Sequence, residues 1–206
     1  MNITGAVMAG GESRRFGRPK AFAVLEGSRF YERSVHTLAS VCNEVVLSVR
    51  EDQLNDFPDF PGKLVTDVAP YKSCGPLGGL FALMTKVDAE VIVTLPCDMP
   101  LFEQEDAEKL LNDFSNRKGL QALVPSVDGK LQPLSAVYSR SCLPVIQAQL
   151  EKGNYRMRSF FDEISWVEVP HTDLGINEEA FSNINDQEAY GQLLRDAQRR
   201  MTDGTD

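Results

Sequence analysis

The 206-residue sequence has only four cysteines, Cys42, Cys74, Cys97 and Cys142, and two histidines, His36 and His171. No C-x-x-C pair occurs, which argues against a structural zinc site or a disulfide framework. Cations are in the minority, 21 Lys and Arg against 30 Asp and Glu, for a formal net charge of −9. That balance opposes a broad electrostatic grip on nucleic acid or on an anionic membrane, so neither partner is expected. No apolar run approaches the roughly 18 residues that span a bilayer, and no basic region precedes a cleavable apolar core at the N-terminus. A reducing, cytoplasmic setting is the expectation. Without an internal repeat or a Pro- or Ser-rich linker, residues 1–200 are expected to form one domain, with 201–206 a frayed tail. A chain of this size buries roughly 70% of its unfolded surface, enough for a continuous core.

What is present is alternation. "ITGAVMA" (3–9) reads as a buried strand entering a glycine turn. "FAVLEGSRF" suggests a strand and a turn, after which Tyr31, Val35, Leu38 and Cys42 follow helical spacing. Residues 44–49 and 63–67 read as further strands. Pro76 opens a helix, where its missing N–H had no partner, and "VIVTL" (91–95) suits a strand covered on both faces. Ala107, Leu110, Leu111 and Phe114 again repeat at helical spacing. The pattern is that of βα units on a mainly parallel sheet, an α/β fold. The second half departs from it: "LQALVPSVDGKLQPLSAVYS" predicts two extended segments joined through Asp128 and Gly129. A short helix near 143–150, a strand in "ISWVEVP" and a last helix carrying Ala189, Leu193, Leu194 and Ala197 complete the reading.

Against the acidic background, "GAVMAGGESRRFGRPK" (5–20) gathers Arg14, Arg15, Arg18 and Lys20 beside Glu12 alone. The run lacks the G-x-G-x-x-G of dinucleotide folds and the Lys-Ser/Thr of a P-loop. Its glycines still let backbone N–H groups approach an anion, and Arg15 and Lys20 can answer phosphate charge. Arg14 or Arg18 taken singly reads as part of a solvated turn. Ligands of open parallel sheets gather beyond the carboxyl ends of the strands, which is where this loop sits. The same rule singles out Asp98 in "PCDMP", three residues past the run ending at Leu95. A carboxylate there suits Mg²⁺ between protein and nucleotide phosphates, or else a turn or helix cap. Asp67 ends another strand, and Gly75, Gly78 and Gly79 after it allow close contact with a base or ribose, Gly75 equally serving a turn. "FSNIN" would place Asn183 and Asn185 on one face of a strand, unless Asn185 caps the last helix.

Taken together, "MAGGESRRFGRPK", "TDVAPYKSCGPLGG", "PCDMP", "QPLSAVY", "GNYRMRSFF" and "FSNINDQEAY", in that order from residue 8 to residue 190, resemble the molybdenum cofactor guanylyltransferase (MobA) family of nucleotidyltransferases. The first and third motifs are shared by many nucleotidyltransferases, and the last three narrow the choice. The resemblance implies a Rossmann-like three-layer nucleotidyltransferase fold with a mainly parallel central sheet and an added β-hairpin region. It implies transfer of GMP from GTP to the terminal phosphate of the molybdopterin cofactor with release of pyrophosphate, assisted by Mg²⁺, and transient contacts with other cofactor-biosynthesis or acceptor proteins. Met8, Ala9 and Gly10 match the family's nucleotide-binding segment, Lys20 its phosphate-contacting lysine, Asp67 a nucleotide contact and Asp98 the magnesium ligand. Gly11, Arg15, Gly17, Gly75 and Gly79 match further motif positions, with Arg15 beside Lys20 and Asp98 in the catalytic set. Arg156, Asn183 and Asn185 match the pterin side. Phe16 stands where the family commonly has Met, Pro19 where Asp often precedes the lysine, and Ser48 where some members have Asn, so Ser48 is not among the candidate residues. A cytidylyltransferase and a non-catalytic nucleotide-binding adaptor stay open as alternatives. By resemblance, Gly10 and Gly11 favour guanine, because a missing side chain leaves room for the larger base.

Overall fold

A computed structural model describes residues 1–11 and 16–203. The first apolar run forms β1 (Ile3–Met8). The glycine-rich loop leads to a small hairpin of β2 (Val24–Leu25) and β3 (Ser28–Arg29), then α1 (Phe30–Ala39) and β4 (Glu44–Ser48). Next come β5 (Lys63–Val65), α2 (Gly75–Lys86), β6 (Val91–Pro96) and α3 (Gln104–Ser115). The second half supplies β7 (Ala122–Val127), β8 (Lys130–Leu131), β9 (Val137–Ser139), α4 (Leu143–Glu151) and α5 (Met157–Phe161). β10 (Trp166–Pro170) and α6 (Gln187–Asp203) finish the order.

The main sheet runs β10-β7-β9-β6-β1-β4-β5, with β8 paired to β7. β1 is parallel to both β6 and β4, and β4 to β5, so the half of the sheet expected to be parallel is so. β9 enters antiparallel between β6 and β7, and β10 lies parallel to β7. The chain leaves β1 for β4 and β5 on one side and crosses to β6 on the other. Winding therefore reverses at β1, and a crevice opens beyond the carboxyl ends of β1, β4 and β6.

Side chains alternate across the sheet with period two. Ala6, Val46 and Ile92 pack against Leu77, Leu80, Ile146 and Phe160 of α2, α4 and α5. Their neighbours Val7, Leu47 and Val93 pack against Leu38, Leu110 and Phe114 of α1 and α3. The result is the three-layer arrangement that the resemblance implied. β6 is buried along its whole length, which explains its uninterrupted apolar run. A third cluster of Phe16, Leu25, Phe30, Ile184 and Leu193 joins α6 to the β2–β3 hairpin, apart from the sheet.

Two expectations are corrected. The turn at Asp128 and Gly129 is real, with φ of +50° and +71°, but the second extended segment is not continuous. β8 lasts two residues, Pro133 has no N–H for a ladder, and the chain turns before β9 joins β6 and β7. The second correction concerns 182–186, which form a loop and no strand, so the alternating-face argument does not apply to Asn183 and Asn185. At the end of the chain, α6 continues to Asp203, into the segment expected to fray, and 204–206 lie outside the described residues.

Candidate functional site

A cavity of about 720 Å³ lies at the crevice. Backbone hydrogen bonds continue past the strand ends and stiffen its floor. Ala9 N–H donates to the Ser48 carbonyl at 2.8 Å, Val49 N–H to Val65 at 2.9 Å and Cys97 N–H to Met8 at 3.2 Å. β1 brings Met8, Ala9, Gly10 and Gly11 to the wall, and β6 brings Cys97 and Asp98. Glycine fits tightly at position 10: a Cβ there would lie 3.2 Å from Arg50 N and 3.3 Å from Val49 C, both backbone atoms that would have to give by a few tenths of an ångström. Among the described residues, a Cβ on Gly11 would meet nothing within 4 Å.

The sharpest feature is a cluster around Lys20. Its Nζ donates to Asp98 Oδ2 and, at 2.8 Å, to Asn185 Oδ1. The Lys20 and Asp98 side chains are 14% and 15% exposed. Charges ~4 Å apart attract by ~4 kcal/mol at an effective dielectric near 20, against ~1 kcal/mol in water, so partial shelter strengthens everything this cluster does. Asn185 does not cap α6; Asp186 does, its Oδ1 accepting from Ala189 N–H at 2.9 Å. The loop is pinned by Ile184 N–H, which donates to the Asp98 carbonyl at 2.9 Å. Asn183 lines the cavity, while Asn185 is held against the lysine.

On the β4–β5 side, Asp67 lines the cavity and its Oδ2 accepts from Ser73 N–H at 3.0 Å, shaping the turn into α2. Gly75, at φ +68°, begins the helix, and the helix N-terminus faces the cavity through Gly75, Pro76 and Gly79. Such an end attracts anions. A Cβ on Gly79 would reach within 3.5 Å of Met8 Cε. Sequence reasoning set aside Ser48, at the end of β4, and missed the wall that follows it, Arg50, Glu51 and Asp52, faced by Lys72. The carboxyl-end rule that found Asp98 would have found them too. Arg50 grips Asp52 through two bonds of 2.9 and 2.6 Å, and Lys72 meets Glu51 at 2.6 Å. These hydrogen bonds hold both carboxyls below their usual range. Burial pushes the Cys97 thiol up to about 12, so at neutral pH it is no thiolate nucleophile.

Other candidate residues lie elsewhere. Gly17 takes φ +75° in its turn and is not among the residues lining the cavity, nor is Arg156, which is exposed just before α5. Its neighbour Tyr155 lies beside Cys74, whose charge and hydrogen bond raise the phenol's pKa. Arg15 lies outside the described residues.

The MobA-like NTP transferase domain family matches residues 5–169. The chain belongs to this family. It is 34% identical over 193 residues to a probable molybdenum cofactor guanylyltransferase of Geobacillus sp. (strain WCH70), covering 93% of this chain and 98% of that protein. Its identity to a protein of the same name from Bacillus subtilis (strain 168) is 31% over 194 residues, 94% of this chain and 95% of the other. Among solved structures, the molybdopterin-guanine dinucleotide biosynthesis protein A of Archaeoglobus fulgidus superposes with a TM-score of 0.80 at 21% identity, over 95% of this chain and 99% of that one. This MobA-like NTP transferase fold also superposes on a 4-diphosphocytidyl-2C-methyl-D-erythritol synthase from Anaerococcus prevotii, with a TM-score of 0.69 at 15% identity over 96% and 98% of the two chains. The MobA-like chain is thus a nucleotidyltransferase with relatives named for molybdenum cofactor biosynthesis. No helix of its described residues is long and apolar enough to cross a membrane.

Proposed function

We propose that this chain transfers GMP from GTP to the terminal phosphate of the molybdopterin cofactor in the cytoplasm, forming the guanine dinucleotide cofactor and releasing pyrophosphate. The observation that carries the reading is the meeting of Lys20 and Asp98, 78 positions apart in sequence, beside a glycine turn at the switch point of the sheet. The names of the relatives indicate which nucleotide and acceptor to test first.

In this reading an oxygen of the cofactor's terminal phosphate attacks the α-phosphorus of GTP in line. The bond from that phosphorus to the β-bridging oxygen breaks, and pyrophosphate leaves with the electron pair. The backbone at Gly10 and Gly11 and the start of α2 approach the phosphates, and Lys20, with Arg15, stabilises charge on the leaving group. A triphosphate competes with Asp98 for Lys20, which leaves the carboxylate available to a cation. Among the described residues no group of three or more His, Cys, Asp or Glu side chains could cage a metal. The donor set instead fits Mg²⁺, which takes one or two carboxylates and completes its shell with phosphate oxygens and water. Bound there, Mg²⁺ supplies positive charge between two phosphate groups that would otherwise repel. The glycine turn, open on the Gly11 side among the described residues, leaves room for a purine, Ser48 and the Arg50–Asp52 pair offer polar groups to the base or ribose, and Asn183 serves the acceptor.

The purified chain, supplied with Mg²⁺, metal-loaded or metal-free molybdopterin cofactor and α-labelled nucleotide, is expected to move label from GTP onto the cofactor and release pyrophosphate. Transfer from CTP in preference to GTP, or GTP binding with no transfer to active cofactor, contradicts the reading.

A further inference from the structure

α6 contributes to neither of the clusters that pack on the sheet. Its Leu193 and Ala197 join Ile184 in covering Phe16, Leu25 and Phe30. Phe16 is fully buried there, although it belongs to the glycine-rich loop. Polar contacts give this packing a direction. Gln187 Nε2 donates to the Phe16 carbonyl at 2.6 Å. The Tyr190 hydroxyl donates to the Val24 carbonyl at 2.7 Å and accepts from Val24 N–H at 3.2 Å. The Arg18 guanidinium lies 5.9 Å from the Phe16 ring centroid and 5.7 Å from that of Tyr190, so this loop cation packs toward α6. Lys20 falls between the two anchored positions, and the stretch leading into α6 also bonds its ammonium through Asn185 and the Asp98 backbone through Ile184.

We propose that Gln187 and Tyr190 are positioning residues that hold both ends of segment 16–24 and thereby aim Lys20 at the triphosphate, an inference that rests on the nucleotide reading above. A glycine-bearing loop with a long lysine has much conformational entropy to lose on binding. Fixing its ends beforehand lowers that cost, and the gain appears as nucleotide affinity. The helix is the loop's splint: neither residue touches nucleotide, and both act through the backbone at Phe16 and Val24.

The test uses Gln187→Met, which keeps length and removes the donor, Gln187→Lys, which restores a donor, and Tyr190→Phe, which keeps the ring and removes the hydroxyl. Gln192→Ala is the helix control, because its amide bonds within α6 to Asp196 and Arg195. Hydrogen exchange of the ligand-free protein is expected to quicken over amides 16–24 in Gln187→Met and Tyr190→Phe, but not in Gln187→Lys or Gln192→Ala. GTP affinity with Mg²⁺ should fall about three- to tenfold in the first two variants and hold in the others, as the loss of one net hydrogen bond implies. Unchanged exchange over 16–24, or unchanged affinity in both variants, overturns the positioning role. If the wild-type chain binds no GTP, the proposed function fails, and the exchange rates alone decide whether α6 splints the loop.

Discussion

The two sides of the cleft use charge differently. On the β6 side, Lys20, Asp98 and Asn185 come from three distant segments and meet in partial shelter, the two charged side chains 14% and 15% exposed. On the β4–β5 side the ion pairs are open: the Lys72 and Glu51 side chains are 51% and 69% exposed. Exposed pairs of this kind contribute little and weaken with salt, whereas a sheltered pair keeps its geometry and strength. On the proposed function, reaction chemistry belongs to the first side and adjustable recognition to the second.

The largest expected effect breaks the sheltered side. On the proposed function, Asp98→Ala should lower transfer roughly 10³-fold by removing the carboxylate that would hold Mg²⁺, and Lys20→Ala about 10²-fold, both measured as pyrophosphate release. Normal turnover in Asp98→Ala refutes its role. A smaller contrast lies within the glycine turn. Gly10→Ala sets a methyl close against the backbone of Val49 and Arg50 and should destabilise the fold by about 1–3 kcal/mol, while Gly11→Ala, with no atom of the described residues within 4 Å of its Cβ, should change stability by less than about 0.5 kcal/mol. Thermal unfolding of the two variants ranks them, and an equal loss in both would discard the steric account. The smallest effect belongs to the open side. Lys72 depresses the Glu51 carboxyl, so their contact persists as pH falls below the ordinary 4.5 and is lost only through the lower value. In Lys72→Ala, Glu51 should titrate at higher pH than in the wild type by NMR, with turnover altered by no more than about twofold. A large loss of turnover there would erase the distinction between the two sides.

Much of the sheltered side was legible in the sequence because it obeys a local rule. Gly10 and Asp98 stand just past apolar strands, and a parallel sheet brings such positions together. Ser48 and Arg50 to Asp52 obey the same rule, yet they resemble an ordinary charged turn and carry no glycine or proline to mark them. Asn185 was singled out on its residue pattern as a strand-face or cap residue, and it is neither; only the family resemblance placed it at the site. Its partner is 165 positions away, and no periodicity encodes a contact made by a loop. The alternation of β1, β4 and β6 with helices made the layers readable, while the interrupted β8 and β9 were obscured by Pro133, whose effect on pairing depends on which strand lies alongside. The separate packing of α6 on Phe16 could not be read from helical spacing, which shows that a face is apolar without naming what covers it.

The most direct test is a crystal structure with GTP and Mn²⁺, the metal located by its anomalous scattering. The account predicts a metal bound to the Asp98 carboxylate and to triphosphate oxygens, with Lys20 turned onto the phosphates and the purine on the Gly10 side of the cavity. A triphosphate bound away from Lys20, or a metal that leaves Asp98 unligated, would contradict it.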